Sequence, residues 1–238
     1  MTRRRATAPA LLVTAEHGGN RVPAAYRALF ASHADVLATH RGYDPGALTV
    51  ARALAARLGA PLVPSTTTRL LVDLNRSLGH RRLHSEFTRS LPRDERQRIV
   101  ERHWRPYRDE VERHVVRLID EGRRVVHVSS HSFTPVLDGK VRNADIGLLY
   151  DPGRAAERSL AARWRAALVA LQPGLRVRMN YPYTGRADGL ARDLRRRFPA
   201  SRYAGIELEV NQRYVLAGGR DWTMLRRVLL ESIVLALG

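Results

Sequence analysis

Two histidines and a pair of glutamates are the side chains of this sequence best placed to do chemistry. His17 follows the apolar run Ala10 to Thr14, and His131 follows Val125 to Ser129. Neutral imidazoles at strand ends can ligate zinc, and with a third protein ligand such a site keeps one position open for water. Zinc makes that water a nucleophile near neutral pH. Each histidine alone could simply hydrogen-bond a loop backbone; two of them at strand ends favour a metal. In Ile206-Glu207-Leu208-Glu209-Val210 the alternation puts Glu207 and Glu209 on one face and Ile206 and Leu208 on the other. Glu209 then reads either as a general base that moves a proton from water to a leaving amine, or as an ordinary glutamate on a solvated edge strand. Asn75 and Arg76 close the run Leu70 to Asp73. A guanidinium there grips a carboxylate through two parallel hydrogen bonds, although an arginine-rich chain also places some arginines beside asparagine by chance.

These residues need strands behind them, and the sequence supplies short apolar runs alternating with helical periodicity. The strands expected are Ala10 to Thr14, Pro61 to Pro64, Leu70 to Asp73, Val125 to Ser129, Ile146 to Tyr150, Arg176 to Asn180 and Gly205 to Val210. Helices are expected over Pro45 to Leu58, closed by Gly59, over Pro92 to Glu121 with an interruption near Pro106, and over Arg154 to Leu171 and Trp222 to Leu237. The pattern is that of an α/β protein, a three-layer α/β/α sandwich around a mostly parallel mixed sheet. In such sheets ligands collect at the carboxyl ends of the strands, where the four polar groups above all fall.

The chain of 238 residues is long enough for one sizeable core and shows no repeat or linker, so a single domain over 1–238 is expected. The absence of cysteine excludes disulfides, thiolate metal sites and a cysteine nucleophile. No stretch approaches the roughly 20 apolar residues that span a bilayer, and the basic start Thr2 to Arg5 leads into a short apolar run without a convincing cleavage site. A soluble cytoplasmic protein with no membrane partner is expected. The net charge of +18 invites nucleic acid. The basic residues, however, are arginines apart from Lys140 and are spread among acidic partners, as over Arg93 to Arg117, rather than gathered in a stripe. That distribution argues against nucleic acid as a partner.

Several short segments, in this order, resemble the N-formylglutamate amidohydrolase family and, more distantly, the aspartoacylase and zinc carboxypeptidase group. They are AEHGGNRVP (15 to 23), HRGYDPGA (40 to 47), TRLLVDLNRS (68 to 77), HWRPYR (103 to 108), SSHSFTP (129 to 135), RNADIGLLYDP (142 to 152), NYPYTGRADG (180 to 189) and GIELEVNQ (205 to 212). The resemblance implies a zinc-carboxypeptidase-like sandwich, one zinc per chain bound by His17 and His131, and Glu209 as the base. It also implies that Asn75 and Arg76 hold substrate, with Tyr183 and Arg186 recognising a carboxylate from the opposite side. Arg142 and Asp145 flank a strand near this pocket, either at the substrate or as a structural pair. HWRPYR carries no chemistry in this reading: it is a bend at Pro106 with Trp104 and Tyr107 packed on the sheet.

The sequence departs from its relatives at one point. The carboxypeptidase and aspartoacylase groups place a glutamate ligand three residues after the first histidine, where this chain has Asn20. An amide oxygen is a poorer zinc ligand than a carboxylate. Asp44 is the candidate replacement, since two neutral histidines call for an anionic partner; its alternative role is to cap the helix that starts at Pro45. Glu16 is a weaker candidate, because strand neighbours point to opposite faces. The activity expected is hydrolysis of the amide of a small anionic N-acyl amino acid such as N-formylglutamate, by metal-activated water with Glu209 as base and Arg76 or Arg142 steadying the oxyanion. The alternatives are a hydrolase of another N-acyl amino acid or peptide amide, and a non-catalytic anion- or nucleic-acid-binding protein on the same fold.

Overall fold

A computed structural model describes residues 9–238, so the basic segment Thr2 to Arg5 lies outside the described residues. In chain order the elements are β1 (Ala10–Ala15), a 3-10 helix (Ala24–Phe30), α1 (Ala34–Leu37), α2 (Ala47–Leu58), β2 (Leu62–Pro64), α3 (Arg93–Ile99), a π-helical turn (Val100–Trp104) and α4 (Arg105–Asp120). The chain continues through β3 (Val125–Phe133), the hairpin β4 (Val136–Leu137) and β5 (Lys140–Val141), β6 (Ile146–Leu149), α5 (Ala155–Leu171), β7 (Val177–Met179), α6 (Leu190–Arg197), β8 (Tyr203–Asn211), α7 (Gln212–Ala217) and α8 (Gly219–Leu237).

The main sheet has the order β2-β1-β3-β8-β6-β7. All its neighbours run parallel except β6 against β8. Side chains alternate across each strand and so feed two cores. Val13, Ile206 and Leu208 join Leu54 of α2, Trp164 and Leu168 of α5 and Leu229 and Ile233 of α8 on one face. Leu12 and Val125 join Phe30, Ile99, Val111 and Val115 of the 3-10 helix, α3 and α4, with Leu190 and Leu194 of α6, on the other. Each such side chain contributes about 1.5–3 kcal/mol when fully removed from water, and the two-sided burial fixes the three layers.

The structure decides four points of the sequence reading. Leu70 to Asp73 is not a strand but a succession of tight turns. Leu70 N–H donates to Thr68 Oγ1 at 3.3 Å and Asn75 N–H to Asp73 Oδ1 at 3.0 Å. These local side-chain acceptors compete with sheet pairing, while burial of Leu70, Leu71 and Val72 gives the run its strand-like composition. The helix over Pro92 to Glu121 is interrupted near Pro106 as expected, but by a π-helical turn just before the proline and not by a break in the chain's helical course. β3 extends to Phe133, which puts His131 within the strand rather than after it. Finally, β8 is a central strand, so Glu207 and Glu209 do not belong to a solvated edge.

Candidate active site

β1, β3 and β8 bring their polar residues to one place. Ser129 pairs in register with Thr14 and with Glu207, and His131 with Glu209. Ser129, His131, Glu207 and Glu209 therefore project from one face. His17 follows β1 at a turn made of Gly18 and Gly19. A Cβ on either glycine would lie within 3.0 Å of a backbone oxygen of Ser65 or Thr66, so the close approach of that loop depends on both lacking one.

The segment before α2 is laid over this end of the sheet. Asp44 N–H donates to the His17 carbonyl at 2.9 Å, and the hydroxyls of Ser130 and Ser132 donate to the carbonyls of Ala47 and Pro45 at 3.0 and 2.8 Å. Helix capping does not use the Asp44 side chain: the N-cap of α2 is Gly46, and no side chain caps it. Instead Asp44 Oδ2 lies 3.4 Å from His17 Nδ1 and 2.9 Å from His131 Nδ1. One ligand atom from each of the three buried residues falls within 4.8 Å of the others.

Each histidine is anchored on its other nitrogen. His17 Nε2 is 2.7 Å from Asp73 Oδ1, and His131 Nε2 is 2.9 Å from Glu16 Oε2. With an acidic acceptor at Nε2, each ring can keep that N–H and turn the Nδ1 lone pair toward Asp44. Arg69 closes the cluster, donating to Asp73 Oδ2 at 2.7 Å and to Asp44 Oδ1 at 3.4 Å. Burial alone would raise the Asp44 and Asp73 carboxyls; the nearby His17 ring and the Arg69 guanidinium override it and hold both well below the usual carboxylate range.

A cavity of about 190 Å³ opens over this cluster, walled by Asn75, Arg76, Tyr183, Glu207 and Glu209, with Arg82 among its lining residues. Glu209 is 5% exposed, and its Oε2 is buried without a hydrogen-bond partner. Burial pushes its carboxyl up to about 8 and raises that of Glu207 as well. A buried carboxyl oxygen without a hydrogen-bond partner is costly, and this one belongs to a residue that lines the cavity.

Of the residues singled out from the sequence, His17, Asp44, Asn75, Arg76, His131, Tyr183 and Glu209 line this one cavity. Arg142 reaches it only through Tyr183, donating to the phenol oxygen at 3.1 Å with its guanidinium carbon 5.2 Å from the ring centre. Arg186 does not join them: its exposed side chain pairs with Asp151 at 2.8 Å, beside a separate cleft. Asp145 is a structural partner, accepting from Arg176 N–H at 2.7 Å and pairing with Arg213. Asn20 is exposed and donates to the Leu37 carbonyl at 3.1 Å. Sequence reasoning missed Arg69 and Arg82, and it took Asp73 for the end of a strand. The aspartate two residues before Asn75 carries the signature of a side-chain turn, which could have revealed its place. Arg69 and Arg82 carry no comparable mark.

A three-layer α/β sandwich that gathers two histidines and an aspartate beneath a small polar cavity defines a protein built to act on a small molecule, with a ligand set able to hold a divalent cation. The chain belongs to the N-formylglutamate amidohydrolase family, whose sequence model matches residues 9–216, and is by that membership an amidohydrolase. Among solved structures it is similar to gene product Atu2144 from Agrobacterium tumefaciens, with 30% identity and a TM-score of 0.82 over 98% of this chain and 91% of that one. It shares its fold with N-formylglutamate amidohydrolase from Ralstonia eutropha JMP134, at 20% identity and a TM-score of 0.72 over 97% of this chain and 94% of that one. No curated protein matches the sequence significantly.

Proposed function

We propose that this chain hydrolyses the amide of a small N-acyl acidic amino acid, N-formylglutamate being the type, with a divalent metal, zinc by its ligand chemistry, held by His17, Asp44 and His131. The observation that carries this reading is the convergence of both Nδ1 atoms on one Asp44 oxygen beneath a cavity that contains the unpartnered Glu209 carboxylate. Two imidazoles and one carboxylate are a donor set suited to zinc, and the orphaned Glu209 oxygen fits a site that takes in water and substrate. When bound, the metal supplies Lewis acidity toward the scissile carbonyl and toward water.

The chain's own residues do the rest. Glu209 takes a proton from water as the water oxygen bonds to the acyl carbon, and passes that proton to the nitrogen as the C–N bond breaks. The products are the free amino acid and a short carboxylate, formate for a formyl substrate. The cavity has room for a molecule of amino-acid size. Substrate carboxylates meet Arg76, whose nearest acid, Asp73, is 4.0 Å away, and Arg82, which pairs with no carboxylate among the described residues. Asn75 and Tyr183 add neutral hydrogen bonds, and Arg142 steadies Tyr183 from behind.

Turnover of N-formyl-L-glutamate, compared with its glutamine and N-acetyl counterparts, tests the reading together with metal content. Glu209→Gln should keep the metal and lose about 10²–10⁴-fold in kcat. A variant with normal turnover sinks the role of Glu209, and a metal-free wild-type chain that turns over at full rate sinks the metal.

A further inference from the structure

Behind His131 lies a buried carboxylate that the reaction does not touch. We infer that Glu16, braced by Tyr107 and Ser129, is a positioning residue that fixes which ring nitrogen of His131 faces the metal site and thereby sets how tightly a divalent metal is held. The inference rests on the metal reading proposed above and concerns only how the ligand is oriented.

For His131 Nδ1 to offer a lone pair, Nε2 must carry the proton, so the surroundings of Nε2 must accept and not donate. They do. Glu16 Oε2 lies 2.9 Å from Nε2 and Ser129 Oγ 2.8 Å from it, while the Ser129 hydroxyl commits its own proton to Glu16 Oε2 at 2.6 Å. Both neighbours therefore present lone pairs to the ring. The one donor nearby, Asn75 Nδ2, is farther off at 3.4 Å and also donates to the Glu207 carboxyl, so the two closer partners decide the proton's place. On its far side Glu16 Oε1 receives the Tyr107 hydroxyl at 3.1 Å, and that hydroxyl also sits 3.1 Å from the Val63 carbonyl.

The charge of Glu16 is the telling feature. It is 0% exposed, and among the described residues its only ionic contact is His131. Its counterpart behind His17, Asp73, has arginines on hand in Arg69 and Arg76. A buried carboxylate without a cation is expensive, and a role confined to packing and hydrogen bonding would be met by a neutral glutamine. Glu16 makes sense as the outer member of a carboxylate–histidine–metal series, where its charge is answered through the ring.

The test is a metal titration of the full-length protein, reading zinc affinity by chelator competition and the visible spectrum of the cobalt(II) form. Glu16→Gln should weaken zinc by about 10–100-fold and shift the cobalt spectrum, because an amide turned toward Nε2 donates and drives the ring to the wrong tautomer. Tyr107→Phe should produce a smaller loss in the same direction. Metal-free melting temperatures separate this from general loosening, since a merely structural role moves the melting point and leaves affinity and spectrum alone. Wild-type affinity and spectrum in Glu16→Gln overturn the inference while leaving the metal site standing, provided Asp44→Ala abolishes binding. A wild-type chain that binds no metal overturns both. Should Glu16→Gln fail to fold, Tyr107→Phe decides by the same criterion.

Discussion

His127 shows how differently two histidines on one strand can be used. It sits four residues before His131 on β3, fully buried between the Thr14 hydroxyl at 2.9 Å and the Tyr203 hydroxyl at 2.7 Å. Burial pushes its pKa down to about 4, so it is neutral in the folded protein at neutral pH. In the unfolded chain it titrates near 6.5, so between these values the unfolded state binds the extra proton. Its contribution is complete above pH 6.5 and lost as pH falls toward 4, a swing of about 3 kcal/mol. Urea unfolding across that window should show stability falling with acidity, and His127→Gln should flatten this part of the profile; an unchanged slope would refute the assignment. The residues that meet in the cavity were largely legible because they follow or occupy apolar runs, as His17, His131 and Glu209 do. Arg69 and Arg82 were not, because one arginine among so many carries no positional mark until the chain is folded.

At the level of elements, β6 is held to β8 by a residue with no side chain. Gly147 is the register partner of Glu209, and a Cβ there would lie 1.9 Å from the Tyr181 carbonyl oxygen and 3.2 Å from Glu209 Cβ. The loop from Asn180 to Gly189, which carries Tyr183, thus rests directly on β6, the strand paired with the one that positions the proposed base. Gly147→Ala should cost about 1–3 kcal/mol by overpacking and raise KM as Tyr183 is pushed from the cavity wall. A wild-type urea midpoint and KM would show that the loop gives way freely. Most strands and the four longest helices were readable from periodicity. Leu70 to Asp73 misled, since periodicity registers burial and not the side-chain turns at Thr68 and Asp73. α6 escaped notice because Arg192, Arg195, Arg196 and Arg197 crowd its short span, although Leu190, Ala191 and Leu194 give it a buried face.

Across the whole molecule, the proposed ligands come from three distant parts of the chain: the end of β1, the loop before α2, and β3. Metal should therefore bind the folded protein and not the unfolded one, adding about 4 kcal/mol at a thousandfold excess over Kd. Zinc should raise the melting temperature, a chelator should lower it again, and Asp44→Ala should remove the increment; an identical shift in that variant would place the metal elsewhere. The net charge of +18 does not all lie on the surface. Several arginines are spent inside the fold, as Arg195 is on the buried Glu157 and Arg108 on the Leu74 carbonyl and Asp193. No helix among the described residues is long and apolar enough to cross a membrane.

The π-helical turn at Val100–Trp104 gives the long arginine-rich helix made of α3 and α4 a function in phase. A π turn holds one residue more than its α-helical equivalent, so it advances everything beyond it by about 100° around the axis. Trp104, Tyr107 and Arg108 lie at or just past that step, and they hold the Arg76 carbonyl, Glu16 and the Leu74 carbonyl at 2.8, 3.1 and 3.1 Å. Ile99, just before it, stays seated in the core. The helix works as a dial set one notch past its natural reading: delete a single residue from the turn and either Ile99 keeps its seat or the back wall of the site does, but not both.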